Sequence, residues 1–222
     1  MIEFRDVHAS YDGSAPILKG VSFTIRDGEF VAFVGTNGAG KSTLLHALLR
    51  RVTLEEWVAY FPQEVPDDEV RALLVELRAL PTAERGRVLS IVARLESPPA
   101  RVLDGEELSP GEVRKLMIAR SLLSSPRLIV MDEPTNHLDI RSIEALQDVL
   151  RHCACALVLV SHDEQFLDAL VDERWVFEVE QEKGEVGAGR YSRARCPIGR
   201  SASRAGFCRE SDMLIEPLYI VC

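Results

Sequence analysis

Nowhere does this chain hold an apolar run of the ~20 residues that a membrane-crossing helix requires; its longest, such as Ala154 to Val160, are strand-sized. The N-terminus, Met1-Ile2-Glu3-Phe4-Arg5-Asp6, also lacks the basic-then-apolar layout of a secretory signal. A soluble, cytoplasmic protein is the expectation, with no segment of its own inserted in a membrane. A basic excess is missing too: 26 Lys and Arg stand against 35 Asp and Glu, a net charge of −9. That argues against nucleic-acid binding through a broad basic face, while leaving room for a local basic patch. The five cysteines, an odd number, show no C-x-x-C spacing, so nothing signals a zinc site or a dithiol redox centre. Cys153 and Cys155 flank Ala154 ahead of an apolar segment and read as reduced, mostly buried small residues.

What is present is 222 residues, 46% hydrophobic and 27% charged, enough for one large α/β domain or one domain with a small satellite. The most specific segment is Gly35-Thr36-Asn37-Gly38-Ala39-Gly40-Lys41-Ser42, which fits G-x-x-x-x-G-K-[ST]. It lies between a strand candidate, Phe30 to Val34, and a helix candidate starting at Lys41, and that context is what the motif requires. Such a loop turns successive backbone N–H groups inward around a polyphosphate, and the helix after it adds unpaired donors and a positive dipole end. Gly35, Asn37, Gly38, Ala39, Gly40, Lys41, Ser42 and Thr43 are therefore the candidate cradle for ATP. Lys41 is placed to reach the β- and γ-phosphates and Ser42 to hold Mg²⁺.

Residues 1–34 read as short strands with turn signals at Asp12-Gly13 and Asp27-Gly28, an antiparallel edge feeding a central sheet. Helical spacing runs from Lys41 to about Arg51, and Trp57 to Phe61 is a strand candidate closed by Pro62. Two helices follow: Val70, Leu73, Leu74 and Leu77 share one face, as do Val88, Ile91, Val92 and Leu95, with Pro81 between them and Pro98-Pro99 ending the second. From Ser109 the order is a helix to about Ser124, a strand over Leu128 to Met131, a helix from about Arg141 to Cys153, and a strand over Ala156 to Val160. Continuous apolar strands alternating with helices imply a parallel sheet covered on both faces, with phosphate chemistry at the strands' carboxyl ends. The expected fold class is α/β: a P-loop NTPase core with a mixed, mainly parallel sheet, an antiparallel N-terminal edge and a small inserted helical subdomain over about 64–124. The nucleotide-binding domain is expected to span 1–179. Residues 180–222 lose the apolar periodicity, collect Arg190, Arg193, Arg195, Arg200, Arg204 and Arg209, and read as a disordered tail, with a basic interaction tail as the alternative.

Leu128-Ile129-Val130-Met131-Asp132-Glu133 runs four apolar residues into two acids. Asp132 in this position binds Mg²⁺, usually through water, and Glu133 faces the γ-phosphate side, where it polarises an attacking water. Phosphoryl transfer asks little covalent help of a protein, so positioning and electrostatic stabilisation by Lys41, Mg²⁺ and Glu133 carry most of the rate. The order of the P-loop, Gln63, Leu108-Ser109-Pro110-Gly111-Glu112, the Asp132-Glu133 strand and Ser161-His162-Asp163 resembles an ATP-binding cassette (ABC) ATPase over roughly residues 1–179.

The resemblance implies roles residue by residue. Gln63 matches the Q-loop glutamine that contacts Mg²⁺ and the attacking water, His162 the switch histidine on the γ-phosphate, and Tyr11 the aromatic that stacks on adenine. Residues 108–112 match the signature, through which Ser109 and Gly111 meet the γ-phosphate of ATP bound by an opposite cassette. Ser109-x-x-Glu112 is also a capping box with Pro110 at the first helical position, which defines the helix N-terminus sharply. Asp139 matches the D-loop aspartate that crosses the dimer interface. The family has Gly where this chain has Pro110, and Gln where it has Glu112. Pro110 removes one N–H, and Glu112 adds a negative charge near a polyphosphate unless its side chain folds back onto the Ser109 N–H.

Asn136-His137 within Glu133-Pro134-Thr135-Asn136-His137-Leu138-Asp139 looks most like the ABC-F branch, whose characterised members act on ribosomes. The chain departs from that branch in having one cassette, no long charged inter-cassette helix, and Gln63 only 22 positions after Lys41. The expected activity is Mg-dependent ATP hydrolysis by a cassette that closes head-to-tail with a second one, as homodimer or heterodimer. A soluble ABC-F-like factor acting on the ribosome is the first expectation, and the ATP-binding subunit of a transporter with separate membrane subunits is the second. Replacing Lys41 with Ala is expected to abolish ATP binding or nearly so; titration calorimetry showing undiminished affinity would remove the P-loop reading.

Overall fold

The structure, a computed structural model, describes residues 2–9, 18–51, 58–104, 108–179, 189–195 and 218–219. Strands β1 (Ile2–Ala9), β2 (Leu18–Ile25) and β3 (Phe30–Gly35) lead into α1 (Lys41–Arg51) and β4 (Val58–Phe61). Helices α2 (Asp67–Ala79), α3 (Thr82–Arg94), α4 (Pro99–Asp104) and α5 (Pro110–Leu123) come next. The chain then alternates β5 (Leu128–Asp132), α6 (Ile140–Arg151), β6 (Ala156–Val160), α7 (Glu164–Leu170) and β7 (Glu173–Val179), with β8 (Gly189–Arg195) and β9 (Leu218–Tyr219) beyond.

Among the described residues, nine strands join one sheet in the order β4-β5-β6-β3-β7-β8-β2-β1-β9. The five strands from β4 to β7 are mutually parallel, while β1 with β2 and β7 with β8 are antiparallel pairs. The α/β class, the parallel core and the antiparallel N-terminal edge are thus as the sequence implies.

Strand alternation divides the core into two layers. Val31, Phe33, Val158 and Val160 face one side with Leu44, Leu45 and Leu48 of α1. Phe30, Ala32, Leu157 and Leu159 face the other with Leu146 and Leu150 of α6 and Phe166 and Leu167 of α7. A strand buried on both faces has no polar side to show, which is why β3 and β6 read as unbroken apolar runs. A third cluster, Leu77, Val88, Val92, Val102, Leu116 and Ala119, packs α2, α3, α4 and α5 together.

Aromatic rings tie the antiparallel edge to the parallel core. Phe4 stacks on Phe23 at 4.4 Å, Phe23 meets Trp175 edge-on at 4.8 Å, and Phe33 lies 5.3 Å from Trp175 and 5.5 Å from Phe177. Each such pair adds about 0.5–1.5 kcal/mol beyond its buried area.

Four elements depart from the sequence reading. Pro99 opens the short helix α4 instead of only ending α3, because proline suits the first helical turn, where an N–H is unpartnered in any case. Helix α7 and strand β7 had no assignment, although Trp175 and Phe177 are core residues. Strand β8 falls where the tail shows no strand pattern; its seven residues pair with β7 from Glu173↔Arg195 to Val179↔Gly189, and that backbone ladder needs no apolar alternation. Apart from β8 and β9, the segment to which the disorder expectation applies lies outside the described residues.

Trp175 is fully buried at the junction of three rings. Its replacement by Ala is expected to cost about 3–5 kcal/mol, read as a lower urea midpoint; a loss under about 1 kcal/mol would mean that the rings do not couple the two halves of the sheet.

Candidate active site

Several of the residues singled out in the sequence arrive at one edge of the sheet because β3, β4, β5 and β6 are parallel and in register. Phe33 pairs with Val160, Asp132 with Val160, and Met131 with Phe61. Their continuations, the P-loop, Gln63, Glu133 and His162, therefore emerge side by side.

The P-loop follows β3 into α1. Gly35 has φ +144°, and a Cβ there would stand 2.2 Å from the Phe177 carbonyl, so both conformation and space demand glycine. Ala39 N–H donates to Thr36 O at 3.2 Å, which closes the turn. Lys41 is only 7% exposed, and its Nζ donates to Gly35 O at 2.6 Å and Thr36 O at 3.0 Å. Burial lowers its pKa, opposed by the charges of Glu133 and Asp132. The loop thus holds the ammonium of Lys41 over its own carbonyls, with one of its three N–H donors left for a further acceptor.

Asp132 ends β5, and Glu133 follows with φ +47°, a left-handed conformation uncommon outside glycine. Glu133 N–H donates to Val160 O at 2.8 Å, adding a rung beyond the β5–β6 ladder. That rung brings Glu133 to His162: the His162 N–H donates to Glu133 Oε2 at 3.4 Å, and His162 Nε2 lies 3.5 Å from Glu133 Oε1. His162 is held from both sides, since Ser161 Oγ accepts from Asp163 N–H at 3.1 Å and Asp163 caps α7 by accepting from Phe166 N–H at 3.0 Å. Burial raises the pKa of Glu133, which His162 offsets in part and Asp132 reinforces. Burial likewise raises that of Asp132, against the opposing charges of His46, Arg114 and Lys41.

The donor set suits a hard divalent cation. Ser42 offers a hydroxyl at the start of α1, Asp132 a half-buried carboxylate and Gln63 an exposed amide two residues past β4. No group of three or more His, Cys, Asp or Glu side chains able to hold a metal occurs among the described residues. A Mg²⁺ ion here would therefore complete its shell with water and nucleotide phosphate, the usual arrangement for that ion.

The signature segment is more tightly held by its own chain than its sequence suggests. Ser109 caps α5, with Glu112 N–H donating to Ser109 Oγ at 3.3 Å and Ser109 N–H to Glu112 Oε2 at 2.9 Å. Glu112 also accepts from Ser109 Oγ at 2.7 Å and from Arg101 at 2.7 Å. Burial works to raise the pKa of Glu112, yet the Ser109 hydrogen bonds and the charges of Arg101 and Lys115 outweigh it and hold the carboxyl below its ordinary value. The side chain is thus folded back and neutralised, the condition under which it spares an incoming phosphate. Gly111 is a place of close approach: a Cβ there would stand 2.5 Å from His137 O.

Asp139 caps α6 by accepting from Ser142 N–H at 2.7 Å, a local task that accounts for the residue without a partner. Tyr11 lies outside the described residues. Sequence reasoning missed Arg114, a buried cation on α5 whose guanidinium donates to Pro62 O, Gln63 O, Asp132 O and Glu133 O. Because α5 is buried on nearly every side, no amphipathic pattern marks Arg114 as different from its neighbours.

A parallel sheet with a phosphate-type loop, two acids and a histidine at its carboxyl edge defines a nucleotide hydrolase of the P-loop class, and similarities to known proteins narrow it. The ABC transporter family profile matches residues 18–136, over half of the chain. The zinc import ATP-binding protein ZnuC of Paracoccus denitrificans is 36% identical over 174 residues, covering 71% of this chain and 68% of that protein. A solved ATP-binding subunit of an ABC transporter superposes with a TM-score of 0.62 at 24% identity, over 85% of this chain and 88% of that one. CbiO1 from Clostridium perfringens, part of the ABC transporter complex CbiONQ, gives 0.60 at 22% identity, over 78% and 83%. The chain belongs to the ABC transporter family and is an ATP-binding ATPase cassette.

These relatives are transporter ATP-binding proteins, and they do not support the ABC-F branch or a ribosomal target. Of the two residues that suggest that branch, His137 has a local explanation: it sits at φ +63°, where His is enriched among non-glycine residues. Turn geometry favours His there without regard to branch.

The raised pKa of Glu133 gives a stability prediction. In the folded chain this acid binds its proton more tightly than in the unfolded chain, where the ordinary value is 4.5. Stability is therefore lost as pH rises from that value through the folded one, so the penalty is larger at neutral pH than in acid. Glu133→Gln is expected to raise the melting temperature of the nucleotide-free protein at pH 7 by about 2–4 °C, with the gain shrinking in acid. An equal or lower melting temperature would show that the attraction of His162 outweighs burial.

Proposed function

We propose that this cassette is the ATP-binding subunit of a membrane transporter, working with separately encoded membrane subunits. It binds Mg·ATP on its P-loop, hydrolyses it, and closes head-to-tail on a second cassette. The observation that carries the catalytic part is the convergence of Lys41, Asp132, Glu133 and His162 at one sheet edge. The transporter part is supported by the kinship with ZnuC, whose name describes zinc import. No helix among the described residues is long and apolar enough to cross a membrane, which fits a chain that acts on membrane subunits from outside the bilayer.

In this reading Gly35, Asn37, Gly38, Ala39, Gly40 and Thr43 surround the phosphates with backbone and hydroxyl donors, while Lys41 turns its ammonium from the loop carbonyls to the β- and γ-phosphates. Ser42, Gln63 and Asp132 hold Mg²⁺, which when bound neutralises charge on the phosphate oxygens. Glu133 accepts a proton from the attacking water; its raised pKa brings it nearer the working pH, where a general base is most effective. His162, beside Glu133, orients that carboxylate and donates to the γ-phosphate. Tyr11 stacks on adenine. Ser109 and Gly111 meet the γ-phosphate of the facing cassette, and Asp139 lies across the same interface.

The test is light scattering after size exclusion on Glu133→Gln with Mg·ATP. A nucleotide-dependent dimer that Ser109→Arg prevents, with ATP affinity of the single chain unchanged, is the expected outcome. A Ser109→Arg chain that loses ATP affinity as a monomer would overturn the role in trans. Recovery of the tagged chain with detergent-soluble membrane protein supports the transporter assignment, and recovery with ribosomal subunits overturns it.

A further inference from the structure

Arg114 is a buried cation whose direct partners are main-chain carbonyls. It is 5% exposed. One terminal nitrogen, Nη2, donates to Pro62 O at 3.2 Å and Gln63 O at 2.7 Å; the other, Nη1, donates to Glu133 O at 2.5 Å and lies 3.5 Å from Asp132 O. Burial pulls its pKa down and the charges of Asp132 and Glu133 pull it up. Those carboxylates act through space, leaving their oxygens for other partners.

The placement follows from the sheet. Strands β4 and β5 pair up to Phe61↔Met131, so Pro62 and Gln63 leave beside Asp132 and Glu133 with no further ladder between them. The guanidinium bridges the gap where the ladder stops. Its rigid fork spans two segments at once, which the single-point ammonium of Lys cannot do. Arg114 is also within the first turns of α5, the helix whose N-terminus carries Ser109 and Gly111.

We propose that Arg114 is a positioning residue that couples the signature helix to the Gln63 loop and to the Asp132-Glu133 turn of the same chain, so that movement of α5 sets the spacing between Gln63 and Glu133. The proposal rests on the ATP-site reading above. When α5 shifts against the sheet, both carbonyl pairs move with the guanidinium, and the side chains that hold the cation and activate the water move as one. Loosened, these two segments lose that registration while the P-loop keeps its own. Misplacement by about 1 Å at a reacting centre is enough to cost up to a hundredfold in rate.

The test compares the full chain with Arg114→Lys and Arg114→Met by amide hydrogen exchange with and without Mg·AMP-PNP. In the parent, the nucleotide slows exchange at 36–43, 58–66 and 108–116. In both variants the slowing at 36–43 is retained, whereas that at 58–66 and 108–116 falls to background, and steady-state kcat drops by about ten- to a hundredfold with KM within about twofold. Parent-like slowing at 58–66 and 108–116 overturns the proposal. Loss at 36–43 as well, in both variants, marks Arg114 as a general fold support and overturns it too. Absence of any slowing at 36–43 in the parent overturns the ATP-site reading itself, which separates that failure from the failure of the Arg114 role.

Discussion

Two carboxylates side by side at the end of a buried strand set the terms for everything around them. Asp132 and Glu133 repel each other and are both poorly solvated, and each holds its proton more tightly than a free side chain does. A fold built for stability alone would not place them there. It tolerates them because cationic groups stand close by, among them Lys41 from the P-loop, Arg114 from α5 and, when protonated, His162 from the loop after β6. Each comes from a different segment of the chain. The acid pair is thus what the P-loop, helix α5 and the loop after β6 have in common.

Those contributions differ in kind. Lys41 is held by the loop it belongs to, through the carbonyls of Gly35 and Thr36. His162 is braced by Ser161 and the cap of α7, so its ring approaches Glu133 from a fixed direction. Arg114 spends its donors on backbone, which fixes segments instead of charges. One loop-held cation, one oriented ring and one structural fork together frame the acid pair.

The sequence made the parts of this site legible where function imposes a local pattern. Gly35 to Ser42 is read correctly as a strand-to-helix loop because its glycines answer backbone demands that few other residues meet, as the approach of Phe177 O to Gly35 shows. The parallel core is legible for a similar reason: strands buried on both faces must be apolar throughout. What escaped is set by tertiary context. Arg114 lies on a helix with no polar face, β8 depends on a ladder with β7, and Pro99 starts a helix at a position that equally suits a stop. The branch reading finds no support among the relatives, and the left-handed turn at His137 accounts for one of the two residues that suggest it.

The departures from the signature pattern follow from the same packing. Pro110 gives up an N–H at the first turn of α5, a position where no intrahelical bond is lost. Glu112 brings a charge, but Ser109 and Arg101 take up both of its oxygens, so little negative potential is left facing outward from the helix start. Gly111 is needed as much for the His137 carbonyl of its own chain as for any ligand. The segment 108–112 is therefore anchored to the turn after Glu133 before any second cassette arrives. In the proposed head-to-tail dimer, its presentation to a facing nucleotide then depends on the geometry of the acid pair in its own site. That dependence gives each half of a head-to-tail dimer a physical reason to register the state of the other.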